Sequence, residues 1–145
     1  MNTKELDGYL KFLSEKQTAV QESGFDVEDS DLSPQLFPFQ KYCVKRALKV
    51  GRFAMFEDCG LGKTYQQLEW AQQVVNHINK PVLILAPLGV IGQTIKEGVH
   101  FGYKVTEIAL TTFDQDLAAG IYITNYDNMD NIDSYLFGGV VLDES

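Results

Sequence analysis

Apolar residues recur along this chain in two spacings that alternate from one segment to the next. Apolar positions three or four residues apart, which form one face of a helix, are found in residues 3–21, 39–50, 64–79 and 89–98. Short apolar runs typical of strands are found at residues 52–56, 81–86, 104–109, 120–124 and 140–142. The run at 81–86 is apolar throughout, which is typical of a strand buried on both faces. Strands alternating with helices predict an α/β fold with a parallel sheet.

The chain divides into two regions at about residue 35. Residues 1–35 are predicted to form an N-terminal helix followed by an acidic linker, and residues 36–145 form one α/β domain. Within the linker, residues 23–34 are rich in acidic side chains and are interrupted by Gly24 and Pro34. This composition is typical of a mobile, solvated connector.

Composition excludes several classes of protein. The chain has 145 residues, of which 45% are hydrophobic, so it can bury one sizeable core and is not disordered. Its formal net charge of −8 makes it a poor general attractor for nucleic-acid phosphates. No apolar run approaches the roughly 18 residues that span a bilayer, and the first residues do not resemble a signal peptide. Two cysteines form no disulfide framework, so we expect a cytoplasmic protein without a membrane partner.

The most informative motif follows the second predicted helix and the strand after it. It reads Glu57-Asp58-Cys59-Gly60-Leu61-Gly62-Lys63-Thr64 and leads directly into a helix. A helix N-terminus presents unpaired N–H groups to a polyphosphate, and glycines let the backbone approach it closely. Lys63 is then placed to reach the β and γ phosphates, and the Thr64 hydroxyl to ligate Mg²⁺. The motif departs from the general phosphate-loop pattern at Glu57, where that pattern has glycine. The alternative to a phosphate-binding loop is a glycine-rich turn followed by an ordinary surface lysine.

A pair of carboxylates forms the second candidate. Asp143 and Glu144 directly follow the apolar run at 140–142. Ligands of parallel sheets bind at the carboxyl ends of the strands, which is where this pair is predicted to lie. Asp143 is placed to hold Mg²⁺, and Glu144 to orient and deprotonate an attacking water.

Together these segments resemble the first RecA-like domain of a superfamily 2 helicase or translocase. In the Swi/Snf-type branch an acidic residue also replaces the first glycine of the phosphate loop. Asp143, Glu144 and Ser145 would form motif II. A serine at the third position of this motif resembles the helicases of phages and mobile elements. The other matching segments are Phe37-Pro38-Phe39-Gln40, similar to the adenine-reading Q motif, Val82-Leu83-Ile84-Leu85-Ala86-Pro87-Leu88, similar to motif Ia, and Ile123-Thr124-Asn125-Tyr126, similar to the motif that precedes motif II.

The resemblance implies a P-loop NTPase domain that couples ATP hydrolysis, with Mg²⁺, to movement on DNA. It implies that Asp58, Cys59, Gly60, Leu61, Gly62, Lys63 and Thr64 bind the nucleotide, with Lys63 and Glu144 catalytic and Gln40 reading adenine. It also implies that Pro87, Leu88 and Thr124 grip a nucleic-acid backbone. The residues themselves also allow simpler structural roles: Gln40 as a polar residue at a helix start, and Pro87, Leu88 and Thr124 as residues that order loops at strand ends.

A motor of this family needs a second RecA-like domain, which supplies an arginine to the transferring phosphoryl group. No such domain follows Ser145 in this sequence, so we expect the RecA-like domain to be incomplete. The fragment alone is expected to bind ATP and DNA weakly and to hydrolyse ATP hardly at all. Two other functions stay open, namely a P-loop NTPase without motor activity and a non-catalytic, truncated interaction module.

Overall fold

The computed structural model describes residues 24–51, 63–108, 117–127 and 136–143, and the backbone of residues 53–55. Each helix and strand predicted after residue 36 is present there, with ends within three residues of the prediction. The predicted helix at residues 3–21 lies outside the described residues. The elements in chain order are α1 (Pro38–Val50), β1 (Phe53–Met55), α2 (Lys63–Ile78), β2 (Val82–Ala86), α3 (Ile91–Phe101), β3 (Val105–Glu107), β4 (Ile121–Asn125) and β5 (Gly139–Leu142).

The five strands form one sheet in the order β1-β5-β2-β4-β3, and every neighbouring pair is parallel. The predicted α/β fold with a parallel sheet is therefore confirmed. Strand β5 lies between β1 and β2, with Val141 opposite both Ala54 and Ile84. Because all strands run the same way, their carboxyl ends lie at one edge, which we call the carboxyl edge. None of the helices in the described ranges is long and apolar enough to cross a bilayer.

Side chains of the central strand alternate between two cores, as the two-residue period of a strand requires. On β2, Val82, Ile84 and Ala86 pack with apolar residues of all three helices. Leu83 and Leu85 point to the opposite face of the sheet. There they pack with Val140 and Leu142 of β5, and with Tyr126 after β4 and Phe137 before β5. Burial on both faces explains why residues 81–86 are apolar without interruption.

The acidic segment before α1 packs against the helices. Val27, Leu32 and Leu36 are buried in the helix-side core. A short 3₁₀ turn (Asp29–Asp31) lies between the first two, and Asp29 pairs with Lys45 of α1 at 3.0 Å. The acidic side chains of residues 24–34 face solvent, as expected for the connector. Val27 and Leu32 within it, and Leu36 just after it, are buried, so this segment is packed on the domain.

Gly24 marks the place where this segment meets the end of α1. The Phe25 N–H donates to the Leu48 carbonyl oxygen at 3.1 Å. A Cβ atom on Gly24 would lie only 1.9 Å from the Lys49 carbonyl oxygen, so no larger residue fits this approach. Phe25 then stacks on the His77 ring at the end of α2, with ring centroids 4.1 Å apart. The segment thus bridges α1 and α2.

Candidate functional site

The candidate site lies at the carboxyl edge, where the first residue of α2 meets the residue after β5. The Lys63 ammonium nitrogen lies 3.1 Å from Oδ1 of Asp143. The Lys63 side chain is 18% exposed and the Asp143 side chain only 3% exposed. The sequence predicts that Lys63, at the start of a helix, and Asp143, after a strand, lie at one edge of a parallel sheet, and in the structure they are in contact.

Burial makes this ion pair different from a surface one. An isolated carboxylate withdrawn from water is strongly unfavourable, so Asp143 needs a nearby cation. Lys63 supplies the positive charge, and its partial exposure leaves the ammonium accessible from solvent. By contrast, both side chains of the ion pair between Lys45 and Asp29 are exposed. The hydrogen bond to Asp29 raises the pKa of Lys45. Exposed pairs of this kind contribute little to stability.

The backbone of Asp143 is held by one residue of the neighbouring strand β2 and by one residue that follows β4. Its N–H donates to the Leu85 carbonyl oxygen of β2 at 2.8 Å. Its carbonyl oxygen accepts the Tyr126 hydroxyl at 2.6 Å, in a buried hydrogen bond. The position of the carboxylate is therefore determined by β2 and by the turn after β4, as well as by β5 itself. This role of Tyr126 has no signature in the sequence, because a hydroxyl bonded to a distant backbone carbonyl follows no regular spacing.

Several predicted site residues lie outside the described residues. They are the residues of the predicted phosphate loop before Lys63, namely Glu57, Asp58, Cys59, Gly60, Leu61 and Gly62. The second carboxylate of the acidic pair, Glu144, also lies outside the described residues. Thr64 is described as the second residue of α2 and is half-buried. The first N–H groups of an α-helix have no partner within the helix, so this terminus can bind an anion.

Gln40 is described, and its side chain closes the first turn of its own helix. The Gln40 amide oxygen accepts the Phe37 N–H at 2.8 Å, and the side chain is buried. Phe37 precedes Pro38, the first residue of α1. This geometry is the helix-start role that the sequence left open, and adenine recognition by Gln40 stays a prediction.

The three predicted nucleic-acid contacts differ in exposure. Pro87 and Leu88 follow β2 at the carboxyl edge, where the Pro87 carbonyl oxygen accepts the Val90 N–H in a short 3₁₀ turn. Leu88 is 68% exposed and so faces solvent beside the site. Thr124 of β4 is 2% exposed. The structure therefore gives solvent access to Leu88 and encloses Thr124.

A buried polar cluster fixes α2 one turn beyond Lys63. The Tyr65 and Ser33 hydroxyls are hydrogen-bonded to each other, and the Ser33 N–H donates to the buried Glu69 carboxylate. Tyr103, which follows α3, is buried, and its ring packs edge-on against the Tyr65 ring with centroids 6.0 Å apart. Burial and then the Glu69 charge raise the pKa of Tyr103 well above its ordinary value, so its phenol stays protonated to higher pH than that of an exposed tyrosine. This cluster ties the helix that carries Lys63 to residues 24–36 and to α3.

Two buried side chains of α2 lack polar partners within the described part of the chain. Both amide atoms of Gln67 and the indole nitrogen of Trp70 make no hydrogen bond there. Both side chains are fully buried. Burial of polar atoms without hydrogen bonds is unfavourable. Gln67 lies one helical turn after Lys63, so the unsatisfied amide group belongs to a residue close in sequence to the candidate site.

Oxygen donors at the site fit a magnesium ion. Among the described residues, no group of three or more His, Cys, Asp or Glu side chains is placed to hold a metal. A magnesium ion bound with a nucleotide needs few protein ligands, because phosphates and waters complete its octahedron. The buried carboxylate of Asp143 and the hydroxyl of Thr64 are hard oxygen donors of the kind it prefers.

Comparison with known proteins adds no relative. Neither a scan against protein-family models nor a search of curated proteins finds a match to this chain.

Proposed function

We propose that this chain is the ATP-binding first motor domain of a superfamily 2 DNA helicase or translocase. The observation that carries the proposal is the contact between Lys63 and Asp143, which joins the start of α2 to the end of β5 at 3.1 Å. A lysine at a helix N-terminus beside a buried carboxylate at the carboxyl edge of a parallel sheet is the arrangement that phosphate and magnesium binding requires. The parallel sheet and the order of the sequence motifs support the same interpretation.

Each site residue has a distinct part in this proposal. Lys63 and the first N–H groups of α2 would bind the β and γ phosphates. Asp143 and Thr64 would hold Mg²⁺, which when bound neutralises part of the phosphate charge. Glu144 would orient the attacking water, and Gln40 would read the adenine. Lys63 contacts Asp143 in this structure, so the lysine must leave the carboxylate before it can reach a phosphate.

The proposed motor activity requires parts beyond this chain. The arginine that stabilises the transferring phosphoryl group would come from a second RecA-like domain. The exposed Leu88, one residue after Pro87 at the carboxyl edge, is the proposed nucleic-acid contact with most access to solvent. DNA binding by the isolated chain would be weak and sensitive to salt, because its net charge is −8.

Thermal unfolding with and without millimolar Mg²⁺-ATP tests the proposal. We expect nucleotide to raise the melting temperature of the wild-type chain. For Lys63→Ala we expect the same melting temperature with and without Mg²⁺-ATP. Lys96→Ala is a matched control, because Lys96 is an exposed lysine of α3 and should keep the full rise. A wild-type chain that shows no rise, or a Lys63→Ala variant that keeps it, would contradict the proposal.

A further inference from the structure

We infer that Tyr126 is a positioning residue for the carboxylate of Asp143, and this inference rests on the proposed nucleotide site. The Tyr126 hydroxyl donates to the Asp143 carbonyl oxygen at 2.6 Å, and this hydrogen bond is buried. Asp143 is the last described residue of the chain and directly follows β5. A functional side chain at a strand end is placed more precisely when its backbone is held by groups outside its own strand.

The local structure directs Tyr126 toward Asp143. The Asn125 side-chain oxygen accepts the Asp127 N–H at 3.0 Å, which turns the chain at the end of β4. This turn encloses Tyr126, whose ring packs in the core on the face of the sheet opposite the helices. The ring there contacts a set of buried apolar residues that includes Leu85 and Leu142. The ring is thus anchored by packing, and only its hydroxyl reaches the site.

The two backbone hydrogen bonds of Asp143 come from different neighbours. Leu85 of β2 accepts the N–H, whereas Tyr126, which follows β4 on the far side of β2, donates to the carbonyl oxygen. Fixing both ends of one residue limits rotation of its backbone, and so limits where its carboxylate can lie. Groups that orient a metal ligand in this way typically change metal affinity when they are removed. Tyr126 would therefore act through Asp143, without contact with the nucleotide.

Tyr126→Phe tests the inference, because it removes the hydroxyl and keeps the ring that packs in the core. Tyr122→Phe is a matched control from β4, the strand that precedes Tyr126, since the Tyr122 hydroxyl also donates to a backbone carbonyl, that of Ala118, at 2.8 Å. Two quantities are measured for each protein. One is the ratio of ATP affinities with and without Mg²⁺, and the other is the exchange rate of the Asp143 amide hydrogen.

We expect Tyr126→Phe to lower the gain in ATP affinity from Mg²⁺ by about tenfold, while the affinity without Mg²⁺ stays as in the wild type. We also expect faster exchange of the Asp143 amide hydrogen, and wild-type behaviour of Tyr122→Phe in both measurements. A Tyr126→Phe variant with the wild-type Mg²⁺ gain overturns the inference, whether or not exchange is faster. A wild-type chain that binds no ATP overturns the proposed function and this inference together, so the two failures are distinguishable.

Discussion

The ammonium group of Lys63 contacts the carboxylate of Asp143 at 3.1 Å, so the residue that would bind phosphate neutralises the residue that would bind metal. Removal of either charge alone takes from the other, at least partly buried, group the opposite charge beside it. The contact therefore links the stability of the empty protein to the chemistry of its candidate site. It also means that a ligand has to separate the two side chains.

Removal of one member of this pair is expected to destabilise the protein more than removal of both. Lys63→Met should lower the free energy of unfolding by about 3 kcal/mol, because Asp143 is left as a buried charge without its cation. Adding Asp143→Asn to that variant should recover part of the loss. Urea denaturation of the wild type, both single variants and the double variant measures the coupling. Strictly additive effects would show that the contact carries no energy.

Replacement of Gln67 by an apolar residue is expected to stabilise the protein. Both amide atoms of Gln67 are buried without a partner in the described part of the chain, and Gln67→Met removes them at similar volume. We expect a gain of about 1 kcal/mol in the free energy of unfolding. Gln73→Met is the control on the same helix, because the Gln73 side chain donates to the Asp31 carbonyl oxygen at 2.7 Å. It should lose stability in the same chemical denaturation, and a loss for both variants would contradict the assignment at Gln67.

A methyl group at Gly24 is expected to displace the segment that precedes α1. Gly24→Ala would place a Cβ atom against the Lys49 backbone and should cost about 2 kcal/mol. Gly92→Ala is the control, since a Cβ there meets no atom within 4 Å and alanine favours a helix. Differential scanning calorimetry should show a lower melting temperature for the first variant and an equal or higher one for the second. Equal melting temperatures would mean that residues 24–36 do not depend on this contact.

Tyr103 is expected to make stability fall at alkaline pH. The folded protein holds the Tyr103 proton more tightly than the unfolded chain, whose tyrosine pKa is about 10. The stabilisation is therefore complete below pH 10 and is lost progressively as the pH rises above it, by up to about 1.4 kcal/mol per pH unit. Tyr103→Phe should show a shallower decline above pH 10. At pH 7–9 the two unfolding curves should keep a constant separation, and parallel declines above pH 10 would contradict the raised pKa.

The parallel sheet and the proximity of Lys63 and Asp143 at one edge could be predicted from the sequence, because each depends on a simple geometric rule, whereas their direct ion pair could not. An uninterrupted apolar run predicted a central strand at residues 81–86, and β2 (Val82–Ala86) is buried throughout. Parallel strands end at one edge, which is why two residues distant in sequence were expected close together.

Other parts of the structure could not be predicted because they depend on contacts between distant segments. The acidic composition of residues 24–36 concealed three anchoring side chains, Val27, Leu32 and Leu36. The hydrogen bond from Tyr126 to the Asp143 backbone depends on the order of the strands, which the sequence pattern does not determine. The cluster of Ser33, Tyr65 and Glu69 likewise requires the packed position of the acidic segment.

Calorimetric titration of ATP into the wild type and Asp143→Asn, each with and without Mg²⁺, tests the central claim most directly. If Lys63 and Asp143 form one nucleotide site, Mg²⁺ should raise the affinity of the wild type for ATP by about tenfold or more. Asp143→Asn should lose most of this gain and bind metal-free ATP more tightly, because Lys63 no longer has a carboxylate to leave. If both proteins respond to Mg²⁺ equally and bind metal-free ATP equally, the two residues do not share a nucleotide site.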